Sequence, residues 1–158
     1  MIQRKQTLFF IFAFLSHLIL IFLPIGSFEI LDQTGNVSDL LVFGPIYKNA
    51  LEGIILPETR MFIYLNFFGM FFSMAGIFAY KRRNLQLRLA VYGIVSAVLY
   101  LITAGFMINT FVNNAYFIWI PIKSLTLTPA VFNVVWLILA IKFIKKDIAL
   151  MASLNRIR

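Results

Sequence analysis

Residues 61–80 read MFIYLNFFGMFFSMAGIFAY, residues 81–88 read KRRNLQLR, and residues 89–108 read LAVYGIVSAVLYLITAGFMI. Two apolar runs flank a short basic link. Each run is about 20 residues, the length a helix needs to cross roughly 30 Å of hydrocarbon. A link this short makes the two helices antiparallel neighbours. Two further segments share the character. Thr7 to Gly26 holds only Ser16 and His17 as polar interior residues. Pro129 to Ile144 is slightly short, and Lys142 interrupts its last turns, where a long stem reaches back to the interface. The expected fold is an all-α membrane protein, a four-transmembrane-helix bundle. It forms a single integral membrane domain over residues 1–158, with helices at about 7–26, 61–80, 89–108 and 129–144. The outer loops are expected at about 27–60 and 109–128. The first apolar run is longer than the roughly 7–15 residues of a secretory signal. Its exit, Leu23-Pro24-Ile25-Gly26-Ser27-Phe28, offers no small-x-small cleavage site. It is expected to be a retained helix.

With 61% hydrophobic residues and 13% charged ones, the 158-residue chain is too apolar for a soluble domain. It contains no cysteine, which excludes disulfide frameworks, thiol chemistry and thiolate metal sites. The single histidine, His17, builds no metal site alone. No cofactor and no metal are expected.

Charge sets the expected orientation. The N-terminus (Arg4, Lys5), the link (Lys81, Arg82, Arg83, Arg88) and the C-terminal segment (Lys142, Lys145, Lys146, Arg156, Arg158) carry 11 basic residues against one acid, Asp147. The other side holds Lys48, Arg60 and Lys123 against Glu29, Asp32, Asp39, Glu52 and Glu58. The positive-inside rule then places both termini in the cytoplasm. Topology alone accounts for the basic excess, so no nucleic-acid partner is expected. The rim attracts anionic lipid headgroups, at about 1 kcal/mol per basic residue near the surface.

In the first outer loop, Phe28 to Leu31 and Leu40 to Phe43 are strand-like and flank Asp32-Gln33-Thr34-Gly35-Asn36, which has turn chemistry. Gly44-Pro45 ends the second strand, because proline cannot donate to a ladder. Ile118 to Leu127 in the second loop is partly alternating. The expectation is a small β-sheet formed by the two outer loops, with interfacial segments lacking ladder bonds as the alternative. Asp32, Asn36 and Asp39 lack the alternating ligand pattern of a calcium loop.

The expected helix interiors contain no Asp or Glu. This disfavours ion-coupled transport and carboxylate hydrolysis. Counted by depth, His17, Asn66 and Asn133 fall within reach of one layer of the bundle. Two readings of this candidate polar layer compete: a polar pocket with His17 as proton carrier, or interhelical hydrogen bonds worth about 0.6 kcal/mol on average. Small residues mark a candidate helix-packing seam. Gly69, Ser73 and Gly76 share one face of the second helix, and Gly93, Ala97 and Ala104 make a comparable face on the third. These two faces are expected to meet. The many phenylalanines, among them Phe9, Phe10, Phe62, Phe67 and Phe71, are expected to face lipid or fill the bundle.

The opening Met1-Ile2-Gln3-Arg4-Lys5-Gln6-Thr7, the link Lys81 to Arg88 and the close, from Ala140 through Lys145-Lys146-Asp147 to Asn155-Arg156-Ile157-Arg158, carry a resemblance. Together they resemble an uncharacterised family of small four-helix inner-membrane proteins of Bacteroidota, a domain of unknown function. The likeness covers essentially the whole chain, the outer loops least. It implies a bacterial cytoplasmic membrane and supplies no catalytic residue. It draws attention to a candidate cytoplasmic interaction face, Arg4, Arg82, Arg83, Gln86, Arg88, Arg156 and Arg158. There the arginines are suited to bind carboxylates or phosphates bidentately, and helix capping with self-contact is the competing explanation.

The expected function is non-enzymatic: an accessory or scaffolding subunit of an envelope complex, with a protein partner in the inner membrane. A small oligomeric channel or carrier using the layer around His17 is the second reading. A lipid-acting enzyme, with only Glu29, Glu52 and Glu58 at an interface, is the third.

Overall fold

The structure is a computed structural model and describes residues 5–23, 26–31, 37–43, 60–112, 117–119 and 127–156. Four helices dominate: α1 (Lys5–Phe22), α2 (Arg60–Phe78), α3 (Arg83–Val112) and α4 (Thr128–Arg156). A single 3-10 turn, Ala79–Lys81, and Arg82 alone separate α2 from α3. The basic link is therefore mostly helix. Residues Arg83 to Arg88 include good helix formers, and charge limits how far an apolar run extends, not where a helix ends.

α1 packs on α2 and α4, and α3 packs on the same two, so the helices form a ring in which neighbours run antiparallel. Three strands lie between the helices in sequence: β1 (Gly26–Leu31), β2 (Val37–Phe43) and β3 (Phe117–Trp119). They form one antiparallel sheet in the order β2-β1-β3. Phe28 of β1 is paired with Leu41 on one side and Trp119 on the other. The pairing shifts register between Ile30 and Leu31. The reversal Asp32 to Asn36 lies outside the described residues.

Buried positions follow one rule on every helix. On α2 they are Phe62, Asn66, Gly69, Ser73 and Gly76; on α1, Gln6, Phe10, Ala13, His17 and Leu20, with Ser16 buried beside His17. On α3 the line is Gln86, Ala90, Gly93, Ala97, Tyr100 and Ala104, with Ser96 buried beside Ala97; on α4 it is Ala130, Asn133, Leu137, Ala140 and Ile144. Steps of four and three alternate throughout. A mean of 3.5 residues is the period of left-handed bundles packed knob into hole. The line is small or polar at most positions, whereas Phe67, Phe68, Phe71 and Phe78 lie exposed on the outer face. Exposed apolar area costs about 25 cal/mol per Å² in water. That cost vanishes in lipid, so the outer face belongs to a membrane-associated protein.

Among the described residues, three helices are long and apolar enough to cross a membrane: Lys5–Phe22, Met61–Lys81 and Arg83–Thr110. The expected four-transmembrane-helix bundle is thereby corrected to three qualifying helices, with α4 as a fourth packed member of the ring. The reason lies in charge. Lys142, Lys145, Lys146 and Asp147 all fall within α4. They leave a charge-free stretch from Thr128 to Ile141, which at about 1.5 Å per residue is roughly 21 Å long, against about 30 Å of hydrocarbon.

Glycines of the two small-residue faces take large side chains from α1 and α4, and Gly69 also lies against α3, where a Cβ would stand 2.9 Å from Ser96 Oγ. A Cβ at Gly69 would run into the His17 ring, and one at Gly76 into the Phe10 ring, both on α1. A Cβ at Gly93 would approach Leu137 of α4 to 2.9 Å. Each glycine receives a large side chain from a neighbouring helix, because a large side chain set into a gap buries more surface than two gaps facing each other. Aromatic packing completes the α1–α4 contact, with Phe9 stacked on Phe143 at 5.3 Å and Phe12 against Trp136 at 5.1 Å.

Gly76→Ala and Gly69→Ala are expected to lower unfolding free energy by about 1–3 kcal/mol through overpacking. Gly105, with open space around its Cβ position, is the control: Gly105→Ala is expected to be neutral or stabilising by up to about 1 kcal/mol. Unfolding in mixed micelles measures all three.

Candidate functional site

The polar side chains of the interior fall into two groups along the bundle. The deeper group centres on α1. Asn66 donates from Nδ2 to the backbone oxygen of His17 at 3.0 Å. That bond turns Asn66 Oδ1 toward His17 Nδ1, 2.7 Å away. An amide oxygen only accepts, so Nδ1 carries the ring proton and donates, and Nε2 presents a lone pair. One turn along α1, Asn133 donates from Nδ2 to the backbone oxygen of Ala13 at 3.1 Å. His17, Asn66 and Asn133 are each at most 1% exposed. The candidate polar residues thus reach α1 at adjacent turns: Asn66 at His17, Asn133 at Ala13.

Ser73 and Ser96 join this group. The Ser96 hydroxyl donates to Gly93 O at 2.9 Å, within its own helix. Among the described residues five buried side-chain atoms have no hydrogen-bond partner: His17 Nε2, Ser73 Oγ and Asn133 Oδ1 in this group, and Gln6 Nε2 and Gln86 Oε1 nearer the basic end. Apolar clusters bound the group on both sides. Leu20, Phe62, Tyr100, Ala104 and Ala130 pack together toward one end, with Phe62 edge-on to Tyr100 at 5.5 Å. Toward the other lie Phe10, Leu137, Ala140 and Ile144.

The second group lies beyond that apolar layer, at the basic end. Gln86 is fully buried and donates from Nε2 to Gly76 O at 3.0 Å. Gln6 on α1 is 2% exposed. Gln86 therefore does not belong to a cytoplasmic interaction face. It sits four residues before Ala90 on the inner line of α3, where its amide joins α3 to the last turn of α2. Gln6 and Gln86 are interior residues that reading by apolar run length passes over. The alternating four-three spacing is the signal that places them.

Arg83 lies between α3 and α4, its Nε donating to Asp147 Oδ2 at 2.6 Å. Side chains this exposed make a pair worth about 0–1 kcal/mol. An open groove of about 360 Å³ lies beside it, lined by Lys81, Arg82, Arg83, Asn84, Ile148 and Met151. Arg82 and Arg88 are exposed. Arg4, Arg158 and the side chain of Arg156 lie outside the described residues.

Chemically, the interior can bind donors and hold hydrogen bonds. Among the described residues no three His, Cys, Asp or Glu side chains gather to hold a metal ion. The partner of the His17 ring is an amide, which cannot take its proton as a carboxylate would. Asn66→Leu leaves the Nδ1 donor of His17 buried without its acceptor, and is expected to cost about 1–3 kcal/mol. Thr103 bonds within its own helix to Leu99 O, so Thr103→Val is expected to change stability by less than about 0.5 kcal/mol. Steric-trapping measurements in bicelles separate the two.

No curated protein and no solved structure matches the chain. A family model does: the domain of unknown function DUF4293 matches residues 2–157, nearly the whole length, and the protein belongs to that family.

Proposed function

We propose that the protein is a non-enzymatic, multi-pass component of the bacterial cytoplasmic membrane that serves as an accessory or scaffolding subunit of an envelope complex. One observation carries this reading most directly. The interior is spent on holding the helices together: Asn66 and Asn133 bind α1 backbone oxygens, and Gln86 binds that of Gly76. Fully buried Phe10 and Leu137 on one side, and Leu20, Phe62 and Tyr100 on the other, close off the polar centre. A bundle organised for cohesion leaves its outer surfaces for partners.

Sidedness follows the charge. The link, the N-terminal turn of α1 and the basic half of α4 share one end of the bundle, where Arg83 meets Asp147. With Asp147 committed to Arg83, the cations Lys81, Arg82, Arg88, Lys145 and Lys146 face that end without an acidic counterpart among the described residues. The positive-inside rule assigns this end, and with it both termini, to the cytoplasm. Anionic headgroups and a protein partner are the ligands such a rim attracts.

A small oligomeric channel or carrier is the competing reading, favoured by the unpartnered ring nitrogen of His17. Capture of the tagged protein from its native membrane in mild detergent, with mass spectrometry of the co-purifying proteins, decides between them. The subunit reading expects a stoichiometric partner, lost on reversing Arg82 and Arg88 to Glu. No partner after crosslinking, together with solute flux in reconstituted vesicles, would favour the carrier.

A further inference from the structure

The polar centre has more acceptors than the protein supplies donors for. His17 Nε2 offers a lone pair, because Nδ1 holds the ring proton for Asn66. Asn133 Oδ1 only accepts, because its Nδ2 is committed to Ala13 O. Ser73 Oγ has one proton. The Ser96 hydroxyl, the nearby alternative, is used on Gly93 O. All three unpartnered atoms belong to side chains no more than 1% exposed. Even if Ser73 turned to serve one acceptor, the other would stay unpaired, and an unmade buried hydrogen bond costs about 1–3 kcal/mol.

The helix register brings these groups to one level. Gly69 of α2 faces His17, and Gly76 faces Phe10. Seven residues up one helix therefore match seven down the other. Ser73, four residues past Gly69, then comes level with Ala13, four before His17. Asn133 meets that same Ala13 from α4. Four residues at about 1.5 Å each put the backbone positions of the three groups within roughly 6 Å along the axis. One oxygen making bonds of about 2.8 Å spans up to roughly 5.6 Å between two polar atoms.

We propose that this centre is a binding site for a small neutral molecule that donates two hydrogens, and that its occupant is an enclosed water. The water donates to His17 Nε2 and Asn133 Oδ1 and accepts from Ser73 Oγ. Three hydrogen bonds are the usual complement of a buried water, and two to four polar partners are what such a site requires. The occupant joins α1, α2 and α4 where no direct side-chain bond connects all three. It also gives the single histidine a structural partner on each ring nitrogen. The apolar layers of Phe10 with Leu137, and of Leu20 with Phe62, separate it from either end.

Solid-state NMR on the full chain, ¹⁵N-labelled at histidine, reconstituted in phospholipid bilayers and prepared without a polyhistidine tag, tests this. The chain has one histidine, so the spectrum holds one ring. The expected result is an unprotonated Nε2 whose shift is that of a hydrogen-bonded lone pair, with magnetisation arriving rapidly from water. In Ser73→Ala/Asn133→Leu that transfer is expected to be lost while the Nδ1 bond to Asn66 persists. A bare lone-pair shift in the unmodified protein would overturn the proposal without any variant having to fold. So would a protonated Nε2. Loss of the hydrogen-bonded shift in Ser96→Ala alone would assign the donor to Ser96 and overturn it as well.

Discussion

Lipid offers no hydrogen bonds, and the bundle is organised around that constraint. A polar group turned outward into hydrocarbon costs several kcal/mol when nothing pairs it. The interior is thus where Asn66, Asn133, Gln86 and His17 must lie; the three amides find backbone oxygens of α1 and α2 there, and the His17 ring finds the Asn66 amide oxygen. Because apolar side chains gain nothing by leaving lipid, helix association rests on close packing and these bonds. Glycine and alanine on the inner line let Phe10, His17 and Leu137 seat deeply. The phenylalanines of α2 go outward for the same reason: in this solvent large apolar surface is not driven inward.

The inner line also explains the separation of roles along the axis. Two apolar layers enclose a polar centre, and a second polar layer with Gln6 and Gln86 sits nearer the charged end. The centre ties helices to each other. The charged end carries the cationic rim, with α4 extending there past its apolar half and Asp147 anchoring Arg83. A packed helix need not be a fully apolar one, and α4 shows the difference: its inner line continues through Ile144 while its outer face has already become cationic.

Much of this was legible in the residues. Apolar run length identifies α1, α2 and α3 as helices of spanning length, because that length is a direct consequence of bilayer thickness. Charge asymmetry groups the link with the two chain ends, since Lys and Arg resist the bilayer interior. Depth counting places His17 and Asn66 near one another. What escaped was lateral: run length does not say which helix a face looks at. Gly69 and Gly93 look equivalent as small residues, yet one accommodates His17 and the other Leu137. Gln86 reads as part of a basic surface because its neighbours are charged, while its phase on the helix puts it inside. The phase was written in the four-three spacing of small and polar residues, a signal inverted from the one soluble helices carry.

The central claim is that small and polar positions face inward and large apolar ones face lipid, with a period of 3.5 residues. Because the chain has no cysteine, single cysteines can be placed along α2 from Met61 to Phe78 and spin-labelled in bilayers. Oxygen accessibility, which reports lipid contact, should peak at positions 67, 68, 71 and 78 and fall at 66, 69, 73 and 76. Maxima at Asn66 and Ser73, or accessibility that does not vary around the helix, would contradict it.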